Sequence, residues 1–383
     1  MSKRKVKHKT ATFSLEPDGF SVHTFELSRK IEWREYHSIK EALYHQQEES
    51  INRGWMYRDE KTGNHVCNLY NKNGIRIHLE HFGDGKANAC YISMLVNPRK
   101  LVDPNSSYLG ILPPEKSSVR KVTEAFSELF ESSPFEPDIN AYRLRRVDLC
   151  TNIRCDNKKL FRELVRVLRK QSAPPKYERC YYTGGDKRTA NDYNKHYISF
   201  RCGTHELVLY DKTYQMRKER LVLSYEKLPK GVLRFEVHCK RGYLRTVEKK
   251  AGEPATTELL WLMIQESRER IINHFSRCFS DVAFARKEEL DRIIKKSRYR
   301  EKAKTDMLDL VDRLQRIQSV DKALKKMEKA GYNTDGLLER FIKLGISPVP
   351  LWHNFCARQM PGPVELLKSV SEGGVTVEYV RIK

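Results

Sequence analysis

The sequence predicts an α+β protein in which an antiparallel sheet backed by helices is followed by a mostly helical, basic region. Three observations predict it. Several runs alternate apolar and polar side chains, the period of a half-buried strand. Others repeat apolar residues at three- and four-residue spacing, the period of an amphipathic helix. From about Thr256 strand signals stop and helical spacing dominates to about Gly345. These patterns divide the chain into a catalytic α+β region, 1–255, and a helical accessory region, 256–383. Roughly the first 70 residues stay unassigned.

The elements follow in order. Ser38 to Asn52 reads as a helix, with Ile39, Ala42 and Leu43 inward and a capping-box spacing at Ser38 and Glu41. GIRIHLEHFG and CYISMLVNP alternate as strands. SSVRKVTEAFSELFESS has Val119, Val122, Phe126 and Phe130 on one helical stripe, with Ser117 or Ser118 as N-cap. YRLRRVDLCTNIRC reads as a strand, and DNKKLFRELVRVLRKQ as a helix capped by Asp156 or Asn157. HYISFRCGTHELVLYDK predicts a hairpin turning at Gly203, and GVLRFEVHCK another strand. Between them the polar stretch 172–195, broken by Pro-Pro and Gly-Gly, predicts a long loop. Its Tyr181, Tyr182, Lys187 and Arg188 suit contact with a nucleic-acid strand.

Charge points the same way. Lys and Arg total 72 against 50 Asp and Glu, a net +22. An excess of that size favours a polyanion, because neutralised phosphates release counterions. Arg292, Lys295, Lys296, Arg298, Arg300, Lys302 and Lys304 face a single acid, Glu301, in one short stretch, so phosphate contact is expected there. With mean hydropathy −0.68 and no long apolar run, no membrane partner is expected. Nine scattered cysteines without a CxxC pair argue against disulfides or structural zinc and for a reducing, cytoplasmic setting.

Three strands carry polar groups where they can act together. Alternation puts Arg146, Asp148, Cys150 and Asn152 on one face, Arg234, Glu236, His238 and Lys240 on another, and Glu206, Val208, Tyr210 and Lys212 on a third. Two carboxylates, Asp148 and Glu236, suit Mg²⁺ or Mn²⁺ against a phosphodiester. Tyr210 is then the nucleophile that conserves bond energy as a phosphotyrosine, and Lys212 counters developing charge. Tyr214, four residues on, is its competitor. His78 and Glu80 share a strand face and are weaker metal candidates. The chain has neither GxxxxGK[ST] nor GxGxxG, which disfavours an ATPase or helicase.

RRVDLCTN, HELVLYDK and GVLRFEVHCKRGYL, in this order, resemble the replication initiators of filamentous phages, the gene II protein family. They are also similar to the rolling-circle initiators of small Gram-positive plasmids. ISMLVNPRKL, MEKAGYN and FIKLGISPVPL extend the resemblance. It implies a site- and strand-specific DNA nickase and religase, acting on supercoiled double-stranded origin DNA in a bacterial cytoplasm with host helicase and replication proteins. Tyr210 then corresponds to the nucleophile, Asp148 and Glu236 to the metal carboxylates, and Lys212 and Arg234 to phosphate contacts. The plasmid proteins tend to carry a second acid where this chain has Asn152, which leaves a place in the metal shell for His238 or Glu80. Arg146 and Lys240 join Arg234 as expected DNA contacts, and Arg292, Lys295, Lys296, Arg298 and Arg300 supply affinity. Two rivals are a repressor without catalysis, which has no use for Tyr210, Asp148 and Glu236 together, and a conjugative relaxase, which usually shows a three-histidine motif absent here.

Overall fold

A computed structural model describes residues 6–51, 54–83, 89–353 and 355–382. Among them the strands are β1 (Val6–Ile31), β2 (Met56–Arg58), β3 (His65–Cys67), β4 (Ile75–Phe82), β5 (Ala89–Val96), β6 (Arg143–Cys155), β7 (Glu178–Cys180), β8 (Tyr197–Arg201), β9 (His205–Asp211), β10 (Gly231–Lys240), β11 (Phe284–Ala285), β12 (Gln359–Met360) and β13 (Val375–Ile382). The α-helices are α1 (Trp33–Glu49), α2 (Pro98–Val102), α3 (Lys116–Phe130), α4 (Lys158–Arg169), α5 (Lys187–Tyr193), α6 (Lys212–Lys218), α7 (Arg241–Lys250), α8 (Thr256–Gln265), α9 (Ser267–Cys278), α10 (Lys287–Lys296), α11 (Glu301–Arg316), α12 (Val320–Lys329), α13 (Leu337–Lys343) and α14 (Pro363–Val370). The α+β class is the one the sequence predicts.

One antiparallel sheet runs in the order β2-β3-β4-β5-β1-β6-β10-β9-β8-β7, and β13 adds to β1. β1 is its axis, although it lies in the stretch that sequence patterns leave unassigned. It pairs β6 along one edge, and β13 then β5 along the other. Its buried residues Phe20, Val22, Phe25 and Leu27 step by two, then three, then two. The three-residue step marks a bulge: the register against β6 slips between Val22 and Thr24, leaving His23 as the extra residue. A second slip between Glu26 and Leu27 makes Arg145 the extra residue on β6.

One sheet face carries the core. Val147, Leu149, Phe235, Val237 and Leu209 are buried there with the apolar stripes of α4, α8 and α9. Phe235 of β10 meets Phe275 of α9 edge-on, with ring centroids 5.1 Å apart. Removing such a ring typically costs about 3–5 kcal/mol. The opposite face holds the polar residues discussed below.

Several local expectations are corrected. α1 starts at Trp33, five residues before the Ser38 capping box, and stops at Glu49; Asn52 lies outside the described residues. α3 is entered from Glu115, not Ser117 or Ser118. The 172–195 stretch is not all loop, because β7 and α5 form within it, α5 capped by the Asp186 carboxylate accepting from Thr189 N. Strands also return after Thr256, and α8 and α9 pack directly on β1, β6 and β10. Residues on both sides of 255 thus share one continuous apolar core. Asn157 does cap α4, accepting from Lys159 N and Leu160 N. No helix among the described residues is long and apolar enough to cross a membrane.

Candidate active site

The polar faces of β6, β9 and β10 come together because these strands are neighbours. β10 lies between the other two, with Asp148 opposite His238, Cys150 opposite Glu236, and Tyr210 opposite Arg234. Asp148, Glu236, His238, Tyr210 and Arg146 line one cavity of about 270 Å³. The sequence-predicted tyrosine and both carboxylates are therefore adjacent.

Glu236 is the hub. It is 5% exposed and accepts a hydrogen bond from Tyr210 Oη across 2.8 Å. His238 Nε2 lies 3.0 Å from its Oε2, and His23 Nδ1 lies 3.3 Å from its Oε1. Burial opposes ionisation of Glu236, but the two imidazoles outweigh it and hold the carboxyl well below the ordinary carboxylate range. The two histidines diverge. Burial and the Arg234 guanidinium push His23 down to about 4, so it is a neutral imidazole at pH 7. Burial also opposes charge on His238, yet Asp148 and the Glu236 hydrogen bond raise it to about 9. Burial and the adjacent Glu236 charge push the Tyr210 phenol well above its ordinary value. The phenol therefore keeps its proton at neutral pH and donates it in the hydrogen bond to Glu236.

Asp148, 2% exposed, accepts hydrogen bonds from Thr24 Oγ1 and, at 2.9 Å, from Arg146 Nη2. Its Oδ1 accepts none, although Arg146 Nε lies 2.9 Å away, out of line for a hydrogen bond. The donor types suit a hard divalent cation: an ionised Glu236, a neutral His23 and this underused Asp148 oxygen. The placement does not: among the described residues no three His, Cys, Asp or Glu side chains are grouped as a metal shell. Glu236 and Asp148 are engaged instead by the protein's own donors. Glu80 lies elsewhere, held by Arg145 Nη1 at 3.0 and 2.9 Å, and His78 stands beside it on β4.

Two predicted contacts change character. Arg234 is fully enclosed; its Nε donates to Asn152 Oδ1 at 2.7 Å, its Nη2 to Leu109 O at 2.5 Å, and its Nη1 lies 3.9 Å from Glu236. It is a buried cation behind Glu236 and has no surface from which to meet a phosphate. Lys212 does not continue the strand alternation. β9 ends at Asp211, whose carboxylate caps α6 by accepting from Tyr214 N, and Lys212 opens that helix. It is 2% exposed, with Nζ 5.9 Å from the Tyr210 ring centroid. Burial and Arg234 push its amine down to about 7. Lys240 is half-buried, donating to Cys202 O at 3.3 Å. In the basic run, Arg292, Lys295, Lys296, Arg298 and Arg300 are exposed along α10 and the turn to α11. Arg292 is tied to Glu289.

Sequence reasoning missed His23 and Thr24 and, of the cavity's aromatic wall, Tyr193, His196 and Tyr197; Tyr182 and Tyr214, both candidates in the sequence, do line it. Tyr214 stacks on His196 at 3.8 Å and donates to Asp192. Tyr182 stacks on Tyr193 at 4.3 Å. The irregular step between Val22 and Phe25 is the signal that could have found His23 and Thr24. No protein-family model matches the chain, and no curated protein matches it in sequence.

Proposed function

We propose that the protein is a rolling-circle replication initiator that nicks and reseals one strand of supercoiled double-stranded origin DNA through a phosphotyrosine on Tyr210. The observation that carries this reading is the Tyr210–Glu236 hydrogen bond, which pairs a nucleophile with an ionised base in one cavity. Tyr210 Oη attacks the scissile phosphorus, and as the Oη–P bond forms the phenol oxygen becomes acidic and its proton passes to Glu236. The Oη–P bond forms, the P–O3′ bond breaks, and the released 3′-oxygen takes up a proton, for which protonated His238 is a donor in the same cavity. Religation reverses each transfer. Arg146, which lines the same cavity, is the cation available to orient the phosphate. The exposed cations of α10 and the α10–α11 turn supply affinity for duplex phosphates. The motif resemblance to phage and plasmid initiators supports the same reading.

The test mixes the protein, Mg²⁺ and supercoiled DNA carrying its own origin. The expected products are an open circle and a denaturation-resistant protein–DNA adduct, both abolished by Tyr210→Phe with binding retained. Binding without nick or adduct returns the chain to a sequence-specific repressor. Nicking that is lost in EDTA would restore the cation expected from the two carboxylates.

A further inference from the structure

A second cavity, about 830 Å³, opens on the same face of the sheet beside the first. The two meet at the β6 bulge. Arg146 lines the catalytic cavity and its neighbour Arg145 lines the second. Consecutive strand residues normally point to opposite faces, but the bulge turns both arginines the same way. Glu26, opposite Arg146, lies 3.4 Å from Arg145 Nε.

Arg145 is spent on structure, held by Glu80, Glu26 and Ser93. Lys30 and Arg143 are not: both are exposed on the rim and form no ion pair among the described residues. At the β4–β5 end of the cavity stand Phe82, 52% exposed, and Tyr91, with ring centroids 6.1 Å apart. Free cations beside a presented aromatic surface are the two parts of a single-strand site: charge tracks the phosphates while rings stack on bases. A duplex offers no free base faces to such rings.

We propose that this cavity binds the unpaired DNA segment on one side of the scissile phosphate, an inference that rests on the nicking reading above. From Tyr210 on β9 to Phe82 on β4 the sheet order crosses five strand spacings, about 24 Å at ~4.8 Å each. That is the reach of about seven nucleotides at the ~3.4 Å rise of one B-form strand.

The experiment measures binding of single-stranded and duplex oligodeoxynucleotides by fluorescence anisotropy across a salt series, with the full-length chain. Lys30→Glu with Arg143→Glu should lower single-strand affinity at least tenfold and reduce the log–log salt slope by about 1.4, roughly 0.7 per phosphate. Phe82→Ala should lower it about fivefold or more with the slope unchanged, because stacking releases no counterions. All three side chains are exposed, so the variants should fold, which circular dichroism checks. Unchanged affinity in both variants overturns the proposal. So does an equal weakening for duplex DNA, or displacement by polyglutamate as effective as by an oligonucleotide, which would indicate an acidic protein partner. The adduct assay separates the two readings. Adduct formation with unaffected variants removes this cavity alone; absent adduct with the expected weakening keeps the single-strand site and removes the nicking reading.

Discussion

Tyr210 lies opposite Arg234 in the β9–β10 register, yet its hydroxyl reaches diagonally along the pair to Glu236, 2.8 Å away. The phenol therefore sits between a buried cation and an ionised carboxylate, and its proton has one evident destination.

Glu236→Gln keeps the side chain's shape and removes its basicity. Nicking should fall by about 10²–10⁴-fold, the usual contribution of a general base, while origin binding persists. Cleavage rates and anisotropy on the same preparation check this. A loss under tenfold would falsify the assignment of Glu236 as base.

Tyr214→Phe should leave adduct formation standing, slowed by no more than a few-fold. Its phenol donates to Asp192 and its ring lies on His196, so it braces the cavity wall instead of facing Glu236. An adduct that disappears in this variant and survives in Tyr210→Phe would transfer the nucleophile to Tyr214.

Lys212→Met should stabilise the fold near neutral pH by ~1 kcal/mol or more, one pKa unit being worth ~1.4. The amine is pushed from 10.5 down to about 7, so the unfolded chain binds more protons between those values. The unmodified protein's stability should then rise from pH 7 toward 10, and the Met variant should lose this part of the rise. Urea unfolding at several pH values measures both.

His238 has the opposite sign. Its folded value is raised to about 9, so its stabilising charge is fully present below pH 6.5 and lost as pH climbs through 9. Relative to His238→Gln, the unmodified protein should lose on the order of 1–3 kcal/mol across that window. Parallel unfolding curves that never converge at high pH would count against the charge pairing.

The exposed basic run should act through counterions alone. Replacing Lys295, Lys296, Arg298 and Arg300 by Ala should lower the salt slope for duplex binding by about 0.9 for each phosphate no longer neutralised. An unchanged slope in a salt titration assigns the run to a solvated surface.

The site is legible in the sequence where strand alternation runs unbroken. β6 from Arg146 onward, β9 and β10 keep a period of two around their polar residues, and with these strands as neighbours Asp148, Glu236 and Tyr210 come to one face. It fails where the period breaks. His23 occupies a bulge in a strand whose apolar spacing changes phase, so the pattern does not read as a strand at all. Lys212 follows Asp211, a helix cap, and the switch from strand to helix between them reverses what alternation predicts. Arg234 obeys alternation and is still no surface contact, because Leu109, far away in sequence, covers it. A period says which face a residue takes and nothing about what lies over that face.

The long first strand also sets the order in which the pocket can assemble. His23 is made before its partner Glu236, which is 213 residues later in the chain. At roughly 5–20 residues per second, translation needs on the order of 10–40 s to bridge that gap. β13 arrives later still to close the other edge of β1. A nascent chain therefore holds His23 without Glu236 over that interval, and the edge of β1 that β13 closes stays open for longer.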